Sequence, residues 1–226
     1  MFTRYAIYFT PPPDSALADF GADWLGWDSA TGQLREHPSV PGLVVAEITS
    51  VPRKYGFHGT IKPPFHLAKD VTFEALHAAF RALCTTAQPV TLDGLELARL
   101  GRFLALVPRG DAAALAQLAA RFVKELDGFR APPSADELAR RRSSKLNPAQ
   151  EANLSAWGYP HVLDQFRFHM TLSGRLDPEV RDAVESALLP KVQSLTLAPF
   201  TIDAMTLLGS DADGRFHQLD RCQLSG

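Results

Sequence analysis

Cysteine is scarce: Cys84 and Cys222 are the only two in the chain. That excludes a disulfide framework and a four-cysteine zinc site, and two packed, reduced thiols fit a reducing compartment. Long apolar runs are missing too; none approaches the ~18 residues that a membrane-spanning helix needs. Neither sign of charge prevails. Lysine plus arginine number 23 and aspartate plus glutamate 25, a formal net charge of −2. Bulk electrostatics therefore gives no pull toward nucleic acid or an anionic membrane, and an anion site has to be a local cluster. The opening Tyr5-Ala6-Ile7-Tyr8-Phe9 stops at Pro11-Pro12-Pro13, too short an apolar stretch for a signal-peptide core. The expectation is a cytoplasmic monomer. What the chain does have is a globular balance, 46% hydrophobic and 21% charged over 226 residues, which excludes a disordered, collagen-like or coiled-coil protein. At this length folding buries roughly 70% of the unfolded surface, so a substantial core is available.

Periodicity and punctuation predict alternating strands and helices. Residues 4–9 read as a strand, and Asp14 is the expected cap of a helix reaching Trp27. Val44–Ile48 reads as a short strand. Further strands are expected at 54–61, 90–98, 102–107, 162–172, 195–208 and 215–223. Helices are expected from Thr72, over 111–127, after Pro148, and from Pro178 to Leu189, where Pro190 should end the last one. Gly101 and Asp213-Gly214 are the hairpin turns.

The chain repeats itself once. Phe57-His58-Gly59-Thr60-Ile61 returns 111 positions on as Phe168-His169-Met170-Thr171-Leu172, and Pro89-Val90-Thr91-Leu92-Asp93 returns 110 positions on as Pro199-Phe200-Thr201-Ile202-Asp203. Gly101-Arg102-Phe103 returns as Gly214-Arg215-Phe216. Matches in one order at nearly one offset predict a duplicated, pseudo-twofold α+β fold. The expectation is one bilobal domain over residues 1–226, with two antiparallel sheets around a central cleft and helices outside. Residues 128–160 have no counterpart in the first half, so they are expected to form an inter-lobe insertion or flap.

Side chains alternate along a strand, so His58, Thr60 and Lys62 should share one face, and Arg167, His169, Thr171 and Ser173 another. A lone His-x-Thr carries no signal. Two copies at equivalent points of a repeat bring two imidazoles and two hydroxyls together. One neutral and one protonated imidazole can serve as general base and general acid near neutral pH. Threonine hydroxyls can donate to phosphoryl oxygens. This set suits displacement at phosphorus with no metal or organic cofactor. His66, eight residues after His58, lacks the further ligands that zinc requires.

The paired His-x-Thr motifs in a duplicated α+β chain resemble the two-histidine phosphoesterase superfamily. More closely, Arg53-Lys54-Tyr55-Gly56-Phe57-His58-Gly59-Thr60-Ile61-Lys62-Pro63-Pro64-Phe65 and Trp157-Gly158-Tyr159-Pro160 with Phe166-Arg167-Phe168-His169-Met170-Thr171-Leu172 resemble its branch associated with phosphonate metabolism. The resemblance covers nearly the whole chain. It implies a cyclic phosphodiesterase acting on a small phosphoribose or nucleotide substrate, with His58 and His169 as the acid–base pair and Thr60 and Thr171 on the phosphate. It also implies that the first strand, carrying Tyr8, lies near the cleft. The competing expectation is a nucleotide- or RNA-binding module that uses the same cleft without catalysis. A net charge of −2 weighs against long RNA, because backbone binding needs several basic contacts.

Around the motifs, Lys62 is expected to hold phosphate or end the strand in solvent, Tyr55 to stack on the substrate or pack in the core, Arg167 to bind substrate or stay exposed, and Tyr8 to bind substrate or lie in the core. Arg140-Arg141-Arg142 reads either as a solvated helix face or as a clamp for a second phosphate. On the second reading Arg141 and Arg142 are substrate-binding residues. Arg175 has the same two readings. Trp24, Trp27 and Trp157 are expected in the core.

Overall fold

The computed structural model describes residues 2–195 and 197–226. In chain order the elements are β1 (Arg4–Phe9), α1 (Ala16–Leu25), β2 (Trp27–Asp28), β3 (Gln33–Leu34), α2 (Val45–Ile48), β4 (Gly59–Phe65) and α3 (Phe73–Thr86). Then come β5 (Val90–Leu92), β6 (Leu95–Leu100), β7 (Phe103–Pro108), α4 (Ala113–Glu125), α5 (Ala135–Arg142) and α6 (Pro148–Trp157). The chain closes with β8 (Met170–Thr171), α7 (Pro178–Ser194), β9 (Phe200–Ile202), β10 (Ala204–Ser210) and β11 (Phe216–Gln223). The expected α+β class with antiparallel strands is what the chain adopts.

The halves meet differently from the expected facing sheets. Seven strands run in the order β11-β10-β1-β4-β8-β7-β6. The motif strands β4 and β8 are neighbours joined by one pair, Gly59 with Met170. These two residues occupy the same place in the repeat. In the second small sheet, β5 on β9, Thr91 pairs with Thr201, again its own counterpart, and their hydroxyl oxygens lie 3.1 Å apart. Self-pairing of equivalent residues is what a twofold axis requires, and two such pairs define it. Each half sends the strand after its small-sheet strand to the other: β10 pairs with β1, and β6 with β7.

Local chemistry accounts for most element boundaries. Thr72 Oγ1 accepts from the Ala75 N–H to start α3, whose Leu76, Phe80 and Leu83 are buried. Asn147 and Gln150 form a capping box at α6, with Pro148 in the first turn and Gly158 as the left-handed C-cap. Several expectations are corrected. Ser15, rather than Asp14, caps α1. Val45–Ile48 is a helical turn, not a strand. α7 runs through Pro190 to Ser194, because Leu188 and Val192 on either side of the proline both pack into the core. The second motif strand is far shorter than 162–172; Leu163–Gln165 is a 3-10 turn and only Met170–Thr171 is strand. The main core holds Phe80, Phe122, Leu104, Val184 and Leu207, and takes in Trp24. Trp24 and Trp27 are buried as expected, each donating its indole N–H to a backbone carbonyl, Leu172 and Phe216 respectively.

Candidate active site

The register at the junction arranges the four motif side chains. With Gly59 opposite Met170, one step either way sets His58 opposite Thr171 and Thr60 opposite His169, all on the same face. Directly opposed residues have Cβ atoms about 4.5–5.5 Å apart and diagonal ones about 7–8 Å. The two histidines occupy the diagonal of this quartet, a separation that accommodates one phosphate between the rings. Both imidazoles are anchored alike: His58 Nδ1 lies 2.9 Å from the Gly56 carbonyl oxygen, and His169 Nδ1 lies 2.8 Å from that of Arg167. A carbonyl only accepts, so each Nδ1 carries its proton and donates, leaving Nε2 as the working atom. His58 Nε2 is 3.2 Å from Thr60 Oγ1.

The symmetry fails where the flanking strands pair with the motifs. Thr60 is opposite Tyr8 on β1, whereas its counterpart Thr171 is opposite Ala105 on β7. Tyr8, buried, stacks on His58 with ring centroids 3.8 Å apart and planes 22° from parallel. His169 has Phe103 at 5.9 Å instead. Burial, with a smaller contribution from nearby His169, lowers the His58 pKa to about 4. Burial likewise raises that of the Tyr8 phenol, which stays protonated. Beneath the site, Tyr8 packs with Ala6, Leu208, Phe216 and Tyr55.

A cavity of about 430 Å³ opens on this face, lined by Tyr8, Tyr55, His58, Thr60 and Thr171 among others. His169 stands beside it, against the lining residue Phe103. Of the expected substrate-binding residues, Tyr8, Tyr55 and Arg141 reach the cavity. Three do not. Lys62 is buried on the other side of the strand, its Nζ donating to the Val123 carbonyl at 3.0 Å and facing Asp127 at 3.5 Å. The reason is a bulge: β1 pairs Tyr8 with Thr60 but Ile7 with Lys62, so Ile61 is an extra residue and the alternation reverses beyond it. Burial lowers the Lys62 pKa to about 8, against the pull of Asp127. Arg167 turns back to the carbonyls of Asp164 and Phe166. Arg142 pairs with Glu151 on α6. Sequence reasoning missed Arg4, Phe103, Glu137 and Tyr159, all of which line the cavity. Arg4 had a local signal, since it lies four residues before Tyr8 on one strand and so shares its face.

A family model described as a protein of unknown function (DUF1045) matches residues 60–217. That is well over half of the chain, which belongs to this two-histidine phosphoesterase-like family. Among curated proteins, the ribose 1,5-bisphosphate phosphokinase PhnN of Janthinobacterium sp. (strain Marseille) is 37% identical over 235 residues, covering 99% of this chain and 51% of that protein. The protein of the same name from Laribacter hongkongensis (strain HLHK9) is 35% identical over 178 residues, covering 77% of this chain and 40% of that one. The chain thus spans about half the length, or less, of these relatives. Among solved structures, E. coli LigT complexed with 3′-AMP is similar at 16% identity and a TM-score of 0.47 over the whole of both chains. TT0787 of Thermus thermophilus is similar at 14% identity and a TM-score of 0.45, covering 99% of this chain and 98% of its own.

Proposed function

We propose that this member of the DUF1045 family is a metal-independent cyclic phosphodiesterase that opens a cyclic phosphate of a small phosphoribose or nucleotide. The observation that carries the reading is the quartet at the β4–β8 junction, with each imidazole held at Nδ1 by the carbonyl two residues before it. In this reaction water attacks phosphorus while His58 Nε2 takes its proton. The bond from phosphorus to one ring oxygen breaks, and His169 Nε2–H protonates that oxygen. Water and a cyclic diester become a phosphomonoester, and the two histidines end with their protons exchanged. Thr60 and Thr171 donate hydroxyl protons to the non-bridging oxygens; the Thr60 hydroxyl turns from His58 to do so.

The assignment of roles follows from the broken symmetry. Stacking beneath Tyr8 keeps His58 neutral at physiological pH, as a base must be. Ala105 at the equivalent place leaves the other ring without such a cover.

The named activity of the longer relatives suggests a substrate. Ribose 1,5-bisphosphate is the product that water would give from a 1,2-cyclic phosphate of 5-phosphoribose, if the bond to O2 breaks. The chain has no Gly-x-x-x-x-Gly-Lys phosphate loop of the kind many kinases use for ATP, so it would supply such a kinase rather than duplicate it.

Product analysis with a panel of cyclic phosphates, with and without chelator, tests the reading. Chelator-resistant ring opening is expected. Chelator-sensitive turnover would point to a metal-dependent phosphatase, and binding without turnover to the module. Either result overturns the proposal.

A further inference from the structure

The cavity that holds His58 and Thr60 is also lined by four arginines, Arg4, Arg140, Arg141 and Arg175, and by one carboxylate, Glu137. They come from three distant places in the chain: β1, α5 and the loop after β8. Most other arginines here are neutralised: Arg35, Arg81, Arg99, Arg102, Arg121 and Arg130, for example, each hold a carboxylate within 4 Å. Among the described residues, Arg4, Arg140 and Arg175 hold none. Arg141 alone is paired, with Glu137 one turn earlier, and its guanidinium lies over the Tyr159 ring, 4.6 Å from the centroid. Its Nε is buried with no hydrogen-bond partner. A local excess of three positive charges in a chain of net charge −2, set around a partly enclosed cavity, is costly by self-repulsion unless an anion enters it.

The helix that brings two of these charges has no other evident purpose. α5 has no buried residue. Ser134 caps it, its own Glu137–Arg141 pair braces it, and Arg142 ties it to Glu151 on α6. A helix with no fully buried side chain contributes little to a core. This one delivers Arg140 and Arg141 to the cavity and sends Arg142 outward.

We infer that Arg4, Arg140, Arg141 and Arg175 form a second anion subsite, and that the substrate carries a phosphate monoester besides the diester placed between the histidines. The inference rests on the proposed reaction for its first phosphate only. Guanidinium groups suit a phosphate monoester because they present paired N–H donors to its oxygens and stay charged at every relevant pH. The Arg141 stack on Tyr159 fixes one fork in place, and Glu137 gives up its partner when phosphate arrives.

The test compares uridine 2′,3′-cyclic phosphate with its 5′-phosphorylated form, a pair that differs only in the second phosphate. Calorimetric binding is measured on His169→Asn protein, where turnover is blocked, and on that protein with Arg140→Ala and Arg175→Ala added. Neither arginine packs in the core, so the fold should survive. The 5′-phosphorylated ligand should bind about tenfold more tightly or better, as expected for new charge-assisted hydrogen bonds. That advantage should vanish in the variant and shrink with added salt. Equal affinity for the two ligands, no binding of either, or an advantage that persists without the arginines would overturn the subsite. Turnover of both compounds by the unmodified protein is read separately. If neither ring opens while the binding advantage holds, the reaction proposed above fails and the subsite stands.

Discussion

The ring of Tyr8 covers that of His58 at 3.8 Å, and the place equivalent to Tyr8 in the other half is Ala105. One substitution across the pseudo-twofold axis therefore gives two identical motifs different surroundings. A duplicated site needs such a difference, since general acid–base catalysis requires one imidazole without a proton and one with it.

His58→Ala and His169→Ala should each lower turnover of a cyclic phosphate by about 10²–10⁴-fold. Because the two act as one unit, the double variant should be scarcely worse than either single one. Steady-state kinetics with circular dichroism as the folding control checks this. Near-normal turnover in either single variant would remove the mechanism.

The acidic limb of the pH profile of kcat/KM should fall near pH 4, where His58 takes up a proton. Tyr8→Phe keeps the covering ring and should leave that limb in place. Tyr8→Leu lets water reach the imidazole, so the limb should move up toward the ordinary histidine value near 6.5. A proton NMR titration of His58 in the three proteins reads the same shift without turnover.

Stability should carry the same signature. His58 has a folded pKa below its unfolded value, so between about pH 6.5 and pH 4 the unfolded chain binds the extra proton. The stability this group contributes is fully present above pH 6.5 and is lost as pH falls through that window. In urea titrations across the window, the decline should be shallower for His58→Asn than for the unmodified protein.

Gly59→Ala should damage the site through the backbone. A Cβ at this position would lie 2.3 Å from the Phe168 ring, and Gly59 is the β4 half of the one pair joining the motif strands. Displacing Phe168 should cost about 1–3 kcal/mol and misalign the quartet. The expected outcome is a lowered denaturation midpoint together with lowered kcat.

Lys62→Met separates the sequence expectation from the observed position. A phosphate-binding lysine would raise KM when lost. Lys62 instead faces Val123 and Asp127 on the far side of β4, so KM should stay within about twofold while stability falls by about 1–3 kcal/mol from the unpaired acceptors left behind.

The sequence alone determined whatever depends on neighbours along the chain. The repeat, the His-x-Thr pairs, the amphipathic helices at Leu76–Leu83 and Leu115–Phe122, and the turns at Gly101 and Gly214 all follow from spacing and residue type. A pseudo-twofold relation was legible in the repeat, but that equivalent strands pair edge to edge, Gly59 with Met170 and Thr91 with Thr201, instead of facing each other across a cleft, was not. Tertiary structure decided what depends on register and on distant partners. One bulged residue, Ile61, turned Lys62 from the site face into the core, and no local pattern marks that reversal, because strand alternation holds only while both strands advance together. Likewise Tyr8 came to rest on His58 and Ala105 beside Thr171 through pairings between strands about fifty to seventy residues apart. The sequence left Arg140 and Arg175 between a solvated face and a phosphate clamp and offered no reading of Arg4; all three line one cavity because β1, α5 and the loop after β8 meet there.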